Sequence, residues 1–319
     1  LGSSISALKK GGKLLVIFWL LSGFMTLMQT VIGVSLAKMT NINPLYGVLA
    51  GSVSMSGGHG SAGAFGATVE QMGVLGASTV ALSAATFGLL AGGLLGSPLG
   101  LYLIRKNKLK PINIVGKDDL NFDEIHKKED LSVEDLLKQI TILAVIMMLG
   151  TNLSELLKIK LNLAIPSYVG AMFVAIIFNN LNLKFNIVRI NRSLMDILGI
   201  TSLNIFLSMA LISLKLWELV DLAVPMLIIL FAQVFFMGVY TKYIVFKAMG
   251  SDYDAAVMVS GMCGSGLGAT TNAMLNMGEI SERYGYTANP YLIVTLTGAF
   301  LIDIFQMPVI ITAINLFKP

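Results

Sequence analysis

The sequence predicts an all-helical integral membrane protein, and three observations predict it. Of 319 residues, 55% are hydrophobic and 13% charged, against about 25% charged in an average soluble domain, and the mean hydropathy is +0.79. Leu14 to Ala37, Gln71 to Ile104, Leu161 to Leu183 and Leu222 to Thr241 carry no charge, and each comes near or exceeds the ~20 residues that cross a bilayer core. These runs are continuous, whereas the strands of an outer-membrane barrel alternate over about 10-residue segments. A net charge of +4 with pI near 9.0 does not point to nucleic acid, because the basic residues sit in short loops between apolar runs, where they set orientation. The single cysteine, Cys263, excludes an internal disulfide and a cysteine-ligated zinc cluster.

The chain starts LGSSISALKKGGK, which reads as the tail of a helix entering a basic loop and not as a signal peptide; an N-terminal portion is expected to precede it. Spans follow near 13–38, 73–104, 136–157, 162–181, 194–214, 222–247 and 287–317. Two segments break the pattern. Residues 45–70 and 253–282 are apolar enough to enter the membrane but crowded with glycine and small hydroxyl residues. Glycine costs about 1 kcal/mol per helix-interior position relative to alanine, so Gly47, Gly51, Gly57, Gly58, Gly60, Gly63 and Gly66 disfavour a continuous helix in the first segment. Irregular backbone at membrane depth is tolerated where it is buried in protein or lines a polar cavity. Each segment is therefore expected to be a re-entrant hairpin broken near its centre; a tightly packed pair of helices with small-residue seams is the alternative.

If both hairpins return to the side they left, all basic residues but Lys38, Lys158, Lys160, Lys215 and Lys318 share one side, which is then cytoplasmic. The polar stretch 105–135 becomes a cytoplasmic linker between residues 1–104 and 136–319, and the C terminus lies outside. The order of elements also repeats. A span holding Gln29 leads to Tyr46 and, eleven residues on, Gly57; a span holding Gln233 leads to Tyr253 and, eleven residues on, Gly264. An odd number of crossings separates the copies, which gives them opposite orientation. Inverted repeats with broken segments meeting at the midplane are the pattern of secondary transporters.

SGGHGSAGA at 56–64, LKLWEL at 214–219, YDAA at 253–256, CGSGLGAT at 263–270 and FLIDI at 300–304 resemble the bacterial sodium/glutamate symporters, in order and over essentially the whole chain. The resemblance implies two inverted five-span domains with one re-entrant loop each, the N-terminal one here lacking about three spans. It further implies a homodimer in the bacterial inner membrane, L-glutamate as substrate, sodium as coupling ion and no other cofactor, and a transporter, not an enzyme. The alternative substrate is another dicarboxylate or a 2-hydroxycarboxylate. The chain departs from the family's pattern at Ser61, Met262 and Thr271, where threonine, histidine and proline are common.

A half-helix restarting after a break exposes free N–H groups and a partial positive charge, an anion site. Neither hairpin carries Lys or Arg between 45 and 70 or 248 and 282, so a dianion would be held by N–H and hydroxyl groups. Ser61 and Thr270 or Thr271 are the expected caps. The expected substrate contacts are Ser56, Gly57, Gly58, His59, Gly60 and Ser61 at one tip, with Gly264, Ser265, Gly266, Gly268, Thr270, Thr271 and Asn272 at the other. Asp303, deep in the last span where a charge costs at least about 2.5 to 3.5 kcal/mol, leads the sodium candidates, with Asn272, Gln233 and Gln29. Quieter roles compete: His59 as a packed neutral histidine, the two glutamines as interhelical ties, Cys263 as a packing residue, the methionines as core filler. Gly264, Gly266 and Gly268 do not make a dinucleotide fingerprint, since no strand precedes them. A channel filter would come from one repeated loop around an axis, whereas these hairpins differ; an intramembrane hydrolase would need His59 and Cys263 as base and nucleophile.

Overall fold

The computed structural model describes residues 5–112, 132–161, 166–212, 217, 220 and 222–318. Among them every extended element is helical. Five helices are long and apolar enough to cross a membrane: Gly12–Met39 within α1 (Ile5–Met39), α4 (Ala77–Asn107), Val133–Lys160 within α5 (Val133–Leu161), α6 (Ser167–Phe185) and α8 (Ala223–Ala248). The expected span at 194–214 is α7 (Arg192–Ile212). The one at 287–317 is α11 (Ala288–Leu296) and α12 (Ile302–Phe317), joined by a π-helical turn at Thr297–Leu301. The span expected from 73 starts four residues later, because Gly73 and Gly76 hold positive φ of 95° and 71° and turn the chain first. Most of the 105–135 linker, and the LKLWEL segment apart from Trp217, lie outside the described residues.

The helices pack as two compact units, one formed by α5–α7 and the other by the remaining helices. In the first, α5 and α6 cross at glycine: a Cβ on Gly150 would lie 2.1 Å from the Ala171 Cα, and one on Gly170 2.1 Å from the Gly150 carbonyl. Small residues at such crossings let backbones touch where the hydrophobic effect gives no drive between helices. Ser154 Oγ, one turn along, accepts from Gly170 N at 3.0 Å. Asn182 closes the α6–α7 turn, donating to and accepting from Val188 at 2.8 Å each.

The second unit contains both glycine-rich segments. The first is α2 (Pro44–Val53, ending in a π turn from Leu49), a break at Ser56–Gly57, and α3 (Gly58–Gln71). The second is α9 (Tyr253–Leu267), a break at Gly268–Ala269, and α10 (Thr270–Tyr284). Both breaks fall near the segment centres, as the glycine content predicts. The repeat-matched glycines differ in place: Gly57 stands at the first break, Gly264 four residues before the second, since α9 is longer than α2. Gly264 instead serves packing, for a Cβ there would lie 2.5 Å from Ala273 N, across the seam between α9 and α10.

Matching tyrosines close the two bases. Tyr46 Oη donates to the Leu75 carbonyl at 2.6 Å and Tyr253 Oη to the Gly285 carbonyl at 2.7 Å, each tying the start of its segment to the residues just past its end. Tyr46→Phe and Tyr253→Phe should each cost about 0.5 to 1.5 kcal/mol, the net worth of one hydrogen bond, seen as a lowered thermal midpoint in detergent. A midpoint unmoved in both would show that these bonds do not hold the segments.

Candidate functional site

The two breaks meet. Gly58, the first residue of α3, has φ +60°, and a Cβ on it would lie 2.8 Å from the Gly268 carbonyl at the second break. Only glycine suits both the left-handed backbone and the contact. Next to this meeting point Gly60 is exposed, with nothing within 4 Å of an added Cβ, so the first turn of α3 borders open space.

Each segment's inbound arm is capped by a side chain: Asn43 Oδ1 accepts from Leu45 N at 2.9 Å and Asp252 Oδ1 from Ala255 N at 2.8 Å. The outbound arms are not. Their N-caps are Gly57 and Ala269, neither with a side-chain cap bond. The capping expected of Ser61, Thr270 and Thr271 is thus corrected: Ser61 lies within the first turn of α3 and the threonines open α10, past the cap position, so their hydroxyls cannot reach forward to the first N–H groups. Both half-helix N-termini are thus without a side-chain cap, and an uncapped N-terminus presents its first N–H groups to an anion.

His59 Nε2 lies 3.0 Å from Thr86 Oγ1, which itself donates to the Leu82 carbonyl at 2.9 Å. With Thr86 Oγ1 donating to Leu82 it can accept from a protonated His59 Nε2, the tautomer in which Nδ1 is the acceptor nitrogen. Ser56 Oγ donates to the Ser52 carbonyl at 3.0 Å. Ser265 Oγ is 3.5 Å from the Met262 carbonyl, and Asn272 Nδ2 donates to the Leu89 carbonyl at 2.8 Å. Thr271 is exposed and Thr270 half-buried. A Cβ on Gly298 would sit 2.6 Å from Thr270 Oγ1, so the π turn between α11 and α12 passes against the second break.

Gln29 and Gln233 are fully buried and joined in series: Gln233 Nε2 donates to the Gln29 carbonyl at 2.8 Å, and Gln29 Nε2 to the Gly266 carbonyl at 2.6 Å. The interhelical tie is thus realised, from α8 through α1 to the second segment. Among the described residues neither side-chain oxygen has a hydrogen-bond partner. Asp303 is half-buried in the first turn of α12 and, among the described residues, makes no hydrogen bond or ion pair. Orphaned buried oxygens and an unpaired carboxylate are the donor set a hard cation takes. Among the described residues no three His, Cys, Asp or Glu gather as for a transition metal. Cys263 is buried, 3.4 Å from Thr241 Oγ1, and packs as a small residue.

Over residues 1–286 the chain matches the sodium/glutamate symporter family. It is 38% identical over 315 residues to the sodium/glutamate symporters of Escherichia coli (strain K12) and Shigella flexneri, spanning 97% of this chain and 78% of each relative. To that of Haemophilus influenzae it is 38% identical over 311 residues, spanning 96% and 76%. The chain belongs to the sodium/glutamate symporter family. Its relatives are named as symporters, not as enzymes, and it is a multi-pass membrane protein. No solved structure matches it.

In this symporter-family chain the span expected at 73–104 also carries a glycine face that its hydropathy does not reveal. Gly88, Gly92, Gly96 and Gly100 recur every fourth residue, and a Cβ at each would lie 3.2 Å or less from atoms of the second segment: the Leu267 carbonyl at 2.3 Å, Asn272 Nδ2 at 3.1 Å, Asn276 Nδ2 at 2.1 Å and Ile280 Cδ1 at 2.4 Å. Asn276 Nδ2 donates to the Gly92 carbonyl at 3.0 Å across this groove. The four-residue glycine period, and Asn272 with Asn276 on one face of α10, were the available signals. Gln306 was overlooked as well. It is fully buried and donates from Nε2 to the Ser52 carbonyl at 3.3 Å.

Proposed function

We propose that this chain carries sodium-coupled uptake of L-glutamate across the bacterial cytoplasmic membrane by alternating access around two re-entrant hairpins. The observation that carries the reading is the junction of Gly58 with the Gly268 carbonyl, where two uncapped half-helix N-termini come together in a segment pair free of Lys and Arg. Membership of the sodium/glutamate symporter family supports the choice of substrate and ion. The substrate carboxylates are held by N–H groups and hydroxyls of Ser56 to Ser61 and of Gly264 to Asn272, and neutral His59 offers Nδ1 as acceptor to the substrate ammonium. Sodium, when bound, supplies positive charge against Asp303 and the buried amide oxygens, with Gln29, Gln233 and Asn272 as further candidates.

The paired tyrosine ties and the paired capped and uncapped arms support an inverted repeat with the halves 1–104 and 136–319. The hairpins enter from opposite faces, the 105–135 linker and most basic residues are cytoplasmic, the C terminus is outside, and the protein works as a homodimer. Counterflow of labelled glutamate in proteoliposomes tests the function: unlabelled glutamate inside should drive uptake only with sodium present, and competing dicarboxylates define the selectivity. Thr270→Val should raise the glutamate concentration for half-maximal uptake about tenfold, the loss of one hydrogen bond to a charged group. Sodium-independent, non-saturating flux would establish a channel instead.

A further inference from the structure

Asp303 and Gln306 stand three residues apart on α12 and so are neighbours on one helix face, the face that buries Met307, Ile310 and Ile314. Among the described residues Gln306 Oε1 is buried without a hydrogen-bond partner, and the half-buried Asp303 makes no hydrogen bond or ion pair. A half-buried carboxylate and a buried amide oxygen without a partner thus share one helix face three residues apart, and an unpartnered buried acceptor is relieved by a cation. Oxygen ligands bearing a single charge suit a hard monovalent cation and not a transition metal. Gln29 and Gln233 have orphaned oxygens too, but neither α1 nor α8 contains an acidic residue.

The other end of the Gln306 amide is engaged at the first break. The Ser52 carbonyl accepts from Gln306 Nε2 at 3.3 Å, Ser56 Oγ at 3.0 Å and Gly57 N at 3.1 Å, and a Cβ on Gly57 would lie 2.5 Å from Gln306 Nε2. Because the amide is planar, whatever fixes its oxygen also aims its nitrogen. We propose that Asp303 and Gln306 together bind the coupling cation, and that Gln306 passes its occupancy to the first break through Ser52. This rests on the sodium-coupled reading above.

The test is the melting temperature of the purified protein in detergent, titrated with NaCl against choline chloride at constant ionic strength; a cation that binds the folded state raises it. The wild type should show a sodium-specific rise. Asp303→Asn and Gln306→Met should each raise the half-maximal sodium concentration about tenfold or more, whereas Gln306→Glu, which keeps an oxygen, should retain the response. With Cys263→Ala and Ser56→Cys, sodium should slow thiol labelling, and Gln306→Met should abolish that slowing. Sodium curves unchanged in both Asp303→Asn and Gln306→Met overturn the assignment while leaving sodium coupling standing. No sodium-specific rise in the wild type overturns both. If Gln306→Met does not fold, a lost response in Gln306→Glu overturns the role of Gln306.

Discussion

Gly58→Ala is expected to reduce glutamate uptake at least tenfold. The residue holds φ +60°, a region that costs an L-residue roughly 1–2 kcal/mol. The new methyl would also stand 2.8 Å from the Gly268 carbonyl, a backbone atom that cannot rotate away. Relief comes only by parting the two breaks or by pulling α3 out of line, and overpacking of this kind costs about 1–3 kcal/mol more. The penalty falls on the junction and not on the spans, so the protein should still insert and purify as a monodisperse species while proteoliposome uptake collapses. Gly278→Ala, within α10 and with nothing within 4 Å of an added Cβ, is the control and should transport at near wild-type rates. Equal activity in the two variants would mean that the breaks do not meet as described.

Gly88→Ala is expected to have a comparable effect by another route. Its Cβ would come within 2.3 Å of the Leu267 carbonyl and 3.2 Å of the Met55 side chain, so α4 would have to move off both segments, at a cost of about 1–3 kcal/mol. The thermal midpoint should fall by several degrees and uptake should drop with it. Gly93→Ala on the same helix meets only Asn272 Oδ1 at 3.7 Å and should be neutral or stabilising by up to about 1 kcal/mol, the helix propensity gained. The pair separates contact from propensity, since both substitutions add the same methyl group to one helix. A Gly93→Ala protein as damaged as Gly88→Ala would remove the packing explanation.

The broken segments were legible because glycine and charge leave local traces. Seven glycines between 45 and 70 disfavour a helix wherever the segment ends up, and the absence of Lys and Arg around both tips follows from the order of residues alone. The Gln29 to Gln233 tie was legible only as one reading among two, because an amide in a span serves equally a substrate path or a neighbouring carbonyl. The capping roles of Ser61, Thr270 and Thr271 were misplaced by a turn or less. Helix starts depend on the φ of single residues such as Gly58 and Ala269, and a pattern of hydroxyls does not set those angles.

Uncharged runs, the excess of glycine in two segments and the bias of basic residues suffice to place this chain in a bilayer as helices with two interruptions, because burial of apolar length and the cost of glycine act locally along the chain. Which interruption touches which could not follow from them. The meeting of Gly58 with Gly268, the glycine groove of α4 under the second segment and the reach of Gln306 to Ser52 span separations of 179 to 254 residues. They exist only once backbones pack within van der Waals distance. Contacts over such separations depend on the packing of whole helices, and no local property of the sequence records that.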